Sequence, residues 1–193
     1  MPTDATGPTS RPYRHGDVPR ALVEAALATL ERTGTPDFTL RSLARDIGVT
    51  HAAPYAHFTG KDAVLEEVRQ IGYERLVAAM REAADGLSGT DRITSIGCTY
   101  VAFGRQNPGL YRLMFSGTDF ASPALDAIRG ASASLLTGSV DAVLPDAPTR
   151  VRENTSLALF ALVHGLTSLI LDGRVDPDDE RIHSMIAATL PRG

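Results

Sequence analysis

One cysteine, Cys98, stands among 193 residues, so no internal disulfide can form and no multi-cysteine zinc site is available. A basic excess is missing too: the net charge is −4, which gives no global signal for nucleic acid. Seven basic and seven acidic residues balance over 1–62, and 12 basic face 16 acidic residues over the remainder. The acidic excess therefore lies in the second part. Long hydrophobic runs are also scarce. The longest, "LALFALVHGLTSLI" at 157–170, is shorter than a bilayer span and carries His164 and Gly165. The opening "MPTDATGPTSRPYRHGD" lacks the apolar run of a secretory signal. These absences lead to the expectation of a soluble, cytoplasmic protein without membrane contact. No internal repeat, P-loop, nucleophile elbow, dinucleotide fingerprint or metal-ligand pair occurs. A small all-α enzyme built on His164, Asp172 and Glu153 is accordingly disfavoured, and no catalytic residue, metal or cofactor is expected.

What is present is apolar and helical. Hydrophobic residues make up 43% and charged residues 22%, proportions that favour a packed core over disorder. Helix starts recur. Asp17 precedes "VPRALVEAALATLERTG", Thr39 precedes "LRSLARDIG", and Thr59 opens a near capping box with Asp62. Asn107-Pro108, Ser122-Pro123 and Asp176-Pro177 each pair a capping residue with a proline suited to the first turn. Gly34, Gly48, Gly86, Gly117 and Gly173 mark helix ends. Val64, Val68, Ile71, Leu76 and Met80 recur at helical spacing, and no segment alternates like an exposed strand. The chain reads as all-α, with about nine helices.

The first three helices are arranged informatively. A helix over about 18–33 is followed by "GTPDFT", a short helix at 40–47, a turn at Gly48 and another short helix from Thr50. Two short helices across a tight glycine turn suit a helix-turn-helix, whose second member enters the major groove of DNA. Leu22, Ala26 and Leu30, then Leu40, Leu43 and Ile47, then Val49 and Phe58 supply a small three-helix core. On these residues, "FTLRSLARDIGVTHAAPYAHFTGKDAVL" resembles the DNA-binding region of TetR-type transcriptional regulators. The likeness rests on "LARDIGV", on the tetrad of Tyr55, His57 and Phe58, and on "GKDAVL" opening a long fourth helix. In the second half, "NPGLYRLMF" (107–115) and "ALVHGLTSLILDG" (161–173) are similar to one branch of that family.

The resemblance implies a flexible arm at 1–13, a helix-turn-helix domain at 14–62, and a ligand-binding and dimerisation domain at 63–193. It further implies a homodimer on an inverted-repeat operator in double-stranded DNA, released by a small, apolar effector. Thr50 would cap the recognition helix, with His51, Ala52 and Tyr55 on one exposed face reading bases or phosphates. A solvated face that never meets DNA is the plainer alternative. Arg41 and Lys61 are phosphate candidates, and Arg14 and His15 would extend the footprint. His57 would either touch phosphate or pack at the domain seam. A fold that no longer binds DNA is a further alternative, because the first part is neutral and its recognition helix alanine-rich.

For the effector, the candidates are Cys98, Tyr100, Phe103, Tyr111, Met114, Phe115, Phe160 and His164. They are either cavity wall or plain core, with Tyr111 and His164 the polar groups in the first case. The last two helices, at about 149–172 and 177–190, would pair with their copies in a four-helix interface. Leu157, Leu162, Leu166, Leu169, Ile182 and Ile186 would line it, with Ala158, Ala161 and Gly165 permitting close approach. Pro54 is expected to face the three-helix core and to distort the first turn of its helix towards 3-10 geometry.

Overall fold

A computed structural model describes residues 17–116 and 122–190. The arm, Arg14, His15 and the stop at Gly117 lie outside them. Eight α-helices follow in order: α1 Val18–Thr33, α2 Leu40–Asp46, α3 Lys61–Ala83, α4 Gly89–Gln106, α5 Pro108–Phe115, α6 Pro123–Val143, α7 Thr149–Leu171 and α8 Asp179–Ala188. A single 3-10 turn, Ala53–Ala56, lies between α2 and α3. No strand occurs among the described residues.

The helix ends follow local chemistry, with some departures from the sequence reading. Thr39 and Ser42 form a reciprocal capping box at α2: Ser42 N–H donates to Thr39 Oγ1 (3.0 Å) and Thr39 N–H to Ser42 Oγ (2.9 Å). Ser122 caps α6, accepting from Leu125 N–H. Asp17 precedes α1 without capping it through its side chain. Thr59 does not cap α3, whose N-cap is Gly60. Asn107 opens α5 as expected, with Pro108 in the first turn and its carbonyl accepting from Tyr111 N–H, but its side-chain amide turns back onto the Phe103 carbonyl and closes α4. The start expected at Asp176-Pro177 falls two residues later, at Asp178, which accepts from Arg181 N–H at 2.7 Å. Sequence spacing alone does not rank neighbouring capping residues.

One hydrophobic cluster runs from Leu22 and Leu43 through Val68, Leu76, Val101 and Leu110 to Ile186. It joins the first helices to the last. α5 makes a direct bridge: a side chain on buried Gly109 would sit 3.0 Å from both the Gly34 Cα and the Leu30 carbonyl oxygen at the end of α1. Only glycine lets these two backbones meet. A second, smaller cluster of Ile93, Val140, Leu159 and Leu190 stands apart.

α7 has 23 residues, and its most apolar stretch reaches a mean hydropathy of 1.5. By length and composition alone it qualifies for a bilayer, unlike the shorter run read from the sequence. In the fold it packs against α4, α6 and α8. A largely apolar helix can equally serve a core on one face and a protein partner on the other.

Candidate functional site

The segment from Thr50 to His57 is wound more tightly than an α-helix. Ala53 N–H bonds Thr50 O (3.0 Å), Tyr55 N–H bonds Ala52 O (3.2 Å) and His57 N–H bonds Pro54 O (3.0 Å), all in the three-residue pattern of a 3-10 helix. The expected short α-helix capped by Thr50 is therefore replaced by a 3-10 turn with Ala52 in the cap position and no side-chain cap. Pro54 explains this: it lacks an N–H, and its ring disfavours α geometry at Ala53. Pro54 itself is buried, as its spacing from Phe58 indicates, and so is Phe58. The proline thus plugs the small core while the segment around it stays outside.

Thr50, His51, Ala52, Tyr55 and His57 are all exposed, Tyr55 at 56%. Three-residue winding stacks Tyr55 directly over Ala52 on one ridge. His57 does not pack at a seam. Arg41 projects from the first turn of α2 and is exposed. Lys61 is half-buried: its ammonium donates to the Pro36 carbonyl and lies 4.9 Å from the centre of the Phe38 ring. That hydrogen bond uses one of three donors. At the same place the first amides of α3 lack any side-chain cap.

The second feature is a cavity of about 580 Å³ between α3, α4, α6 and α7. Its wall draws on both hydrophobic clusters, with Ile96, Tyr100 and Val163 from the larger and Ile93 and Leu159 from the smaller. Of the eight residues singled out from sequence, Tyr100, Phe115, Phe160 and His164 line it. Cys98, Phe103, Tyr111 and Met114 do not. Phe103 and Met114 are buried in the larger cluster, and Cys98 packs against it, its thiol pKa raised by burial. Helical periodicity marks a residue as inward-facing without saying whether atoms or space lie opposite. Sequence reading missed Tyr73, Met80, Arg129, Ser132, Leu136 and Glu153 on the wall. No local pattern distinguishes these from ordinary helix positions.

Tyr111 stands behind the wall and organises it. Its hydroxyl lies 2.8 Å from His164 Nδ1 and 3.3 Å from the Tyr100 hydroxyl, which is itself 3.0 Å from the same nitrogen. Burial, then hydrogen bonding to Tyr111, pushes the Tyr100 phenol far above its ordinary pKa; burial also raises that of Tyr111. Both remain protonated at neutral pH. Burial lowers the His164 pKa, so the imidazole is neutral there. The rings reinforce this arrangement: Phe160 stacks on His164 with centroids 5.5 Å apart, and Phe115 meets it edge-on at 4.7 Å. Among the described residues no group of three or more His, Cys, Asp or Glu is placed to hold a metal ion.

α7 also presents an uncovered face. Leu157 (65% exposed), Leu169 and Val151 lie outward, together with Ala158 and Ala161. Gly165 has open space where a side chain would stand. Leu166, Ile182 and Ile186, expected at the same interface, are buried inside the fold. Helical spacing puts apolar residues all round α7, and only packing shows which side the core takes.

Two family models match the chain. "Bacterial regulatory proteins, tetR family" covers residues 22–68, and "Tetracyclin repressor-like, C-terminal domain" covers 93–190. Among curated proteins, the nucleoid occlusion factor SlmA of Vibrio campbellii is 32% identical over 95 residues, 48% of either chain. An uncharacterized HTH-type transcriptional regulator, TtgW of Pseudomonas putida, is 47% identical over 47 residues, 24% of this chain and 35% of that one. The chain thus spans about half or less of the length of the curated relatives it matches. Among solved structures, a protein of unknown function from Rhodococcus sp. RHA1 is 29% identical and superposes with a TM-score of 0.80 over 93% of this chain and 96% of its own. The regulator PfmR of Thermus thermophilus shares the fold at 19% identity, with a TM-score of 0.64 over 89% and 99%.

Proposed function

This chain belongs to the TetR family of bacterial regulatory proteins, and we propose that it represses transcription from a palindromic operator until a small molecule enters the cavity. It is a DNA-binding transcriptional regulator, of a family of regulators rather than enzymes. The observation that carries the ligand-responsive reading is α5. Tyr111, at its centre, holds His164 at the cavity wall, while Gly109, at its start, rests on the end of α1. A ligand that displaces His164 or Phe115 therefore pushes on the helix that abuts the DNA-binding unit.

In this reading Ala52 and Tyr55 face the groove, with Thr50 and His51 beside them and His57 at the edge. Arg41, Lys61 and the free amides of α3 take the phosphates. α3 belongs to both units, starting in the DNA-binding part and lining the cavity through Tyr73 and Met80. Regulators of this family bind DNA and dimerise. We place the two-fold contact on the outer face of α7, where Ala158, Ala161 and Gly165 allow close approach and Leu157 and Leu169 flank them, with α8 alongside. A cytoplasmic location follows from the work assigned.

The test is a selection of bound genomic fragments, followed by fluorescence anisotropy on the recovered site. The expected result is an inverted repeat with half-site centres about one helical turn (~34 Å) apart or a multiple of it. Affinity should fall steeply with salt. Recovery of fragments without any shared palindrome would refute the proposal and leave the reading of a fold that no longer binds specific DNA.

A further inference from the structure

We infer that the cavity selects an uncharged molecule with an aromatic ring, an apolar tail and a hydrogen-bond acceptor, such as a ketone, seated on His164 Nε2–H. This rests on the reading of the cavity as an effector site and adds the chemistry of what it takes.

The first step is the imidazole tautomer. Two phenol hydroxyls converge on Nδ1, the nearer at 2.8 Å. Tyr111 oxygen is approached by the Tyr100 hydroxyl at 3.3 Å, and its alternative acceptor, the His164 carbonyl, is farther away at 3.4 Å. With Tyr100 donating to Tyr111, the Tyr111 proton is assigned to the nearer of its two acceptors, Nδ1 at 2.8 Å against the carbonyl at 3.4 Å. A neutral imidazole that accepts at Nδ1 carries its proton on Nε2. Nε2 has no hydrogen-bond partner among the described residues, and His164 lines the cavity. The wall therefore offers a donor there and no matching acceptor.

The other polar groups narrow the choice. The hydroxyl of Tyr73 donates to the Met114 carbonyl and that of Ser156 to the Arg152 carbonyl, so neither proton is free. Ser132 is unpartnered among the described residues, but a hydroxyl serves donor and acceptor alike and does not discriminate. The two charged wall residues, Arg129 and Glu153, are exposed and of opposite sign. Arg129 is drawn to the Tyr73 hydroxyl and lies 3.8 Å from Asp126. No charge is buried in the wall to meet a buried counter-charge, and an unpaired ligand charge would lose its hydration without recompense. Rings of Tyr100, Phe115 and Phe160 surround the donor; Ile93, Leu136 and Leu159 supply an aliphatic wall elsewhere. About 580 Å³ suits a drug-sized molecule rather than a metabolite of a few atoms.

The experiment uses the full chain and three probes: 2-octanoylnaphthalene, its analogue with a methylene in place of the carbonyl oxygen, and 8-(2-naphthyl)octanoate. Calorimetric titration should show the ketone binding roughly five- to tenfold tighter than the alkene, with the carboxylate weakest. His164→Phe should remove the ketone's advantage and leave the alkene's affinity intact; His164→Gln, which keeps a donor near Nε2, should retain it. Equal binding of ketone and alkene, an advantage that survives in His164→Phe, a carboxylate that binds tightest, or no binding of any probe would each overturn the inference. If His164→Phe fails to fold, ¹⁵N spectra of the unaltered protein decide, because an Nδ1-protonated His164 also overturns it. A ketone preference that leaves operator affinity unchanged upholds the chemistry of the site and removes its regulatory role.

Discussion

Replacing Gly104 by alanine tests whether the contact between α4 and α7 is as close as the fold requires. The added methyl would run directly into Thr167 Cγ2 and come within 3.1 Å of Tyr111 Cδ2. Thr167 cannot turn away: it is 0% exposed, β-branched, and its hydroxyl is held by the Val163 carbonyl at 2.7 Å. Overpacking costs about 1–3 kcal/mol, and a clash this severe against a fixed side chain belongs at about 2–3 kcal/mol. Alanine recovers up to about 1 kcal/mol of helix propensity. The net loss should be about 1–2 kcal/mol, or roughly 2–8 °C in Tm for a chain of this length, read by thermal and urea unfolding at fixed concentration. Gly72→Ala is the control. Its methyl would meet Met114 Sδ at 2.6 Å, but that side chain is unbranched and adapts, so the change should be near neutral. Thr167→Ser removes the clashing methyl, and Gly104→Ala with Thr167→Ser should recover most of the loss in a double-mutant cycle. Gly104→Ala as stable as the parent, or a cycle without coupling, refutes the reasoning.

Other expectations follow from the same contacts. Tyr55→Ala should weaken operator binding about tenfold or more without changing Tm, since the ring is 56% exposed; unchanged anisotropy removes it from the reading surface. Thr39→Ala breaks the capping box at α2 and should cost about 1 kcal/mol in urea unfolding, whereas Asp17→Ala, which removes no capping hydrogen bond, should cost less. For His164 the folded pKa lies below its unfolded value of about 6.5, so the unfolded chain takes up its proton first as pH falls. Its contribution to stability should be flat above that value and decline below it, down to the folded pKa. In His164→Gln this part of the pH dependence should vanish, and a parallel profile would show that other groups cause it.

Much of the N-terminal helical part was legible because its signals are local. Asp17, Gly34, Thr39 and Gly48 delimit α1 and α2 to within a residue or so, and the burial of Leu22, Leu43, Pro54 and Phe58 follows from spacing on short helices with one core side. The cavity was half legible. Tyr100, Phe115, Phe160 and His164 stand out in sequence as aromatic side chains, but so do Phe103 and Tyr111, which do not line the cavity. Nothing in the sequence marks Tyr73, Ser132 and Leu136 as wall, because a wall is defined by what is missing opposite it. α7 defeated periodicity for a different reason: it is apolar all round, so Leu157 and Leu166 look alike in sequence although one is outside and the other inside.

Backbone chemistry written along the chain was enough to determine the helices, the turn at Gly48 and the distortion at Pro54, since each depends on a missing N–H, a missing Cβ or a nearby hydroxyl. Tertiary structure alone decided that Tyr111, from α5, and Tyr100, from α4, meet His164, from α7. These contacts join residues 53 and 64 positions apart. They exist because Gly104 lets α4 lie against Thr167 and Gly109 lets α5 lie against Gly34, close approaches that depend on how whole helices pack and on no local pattern.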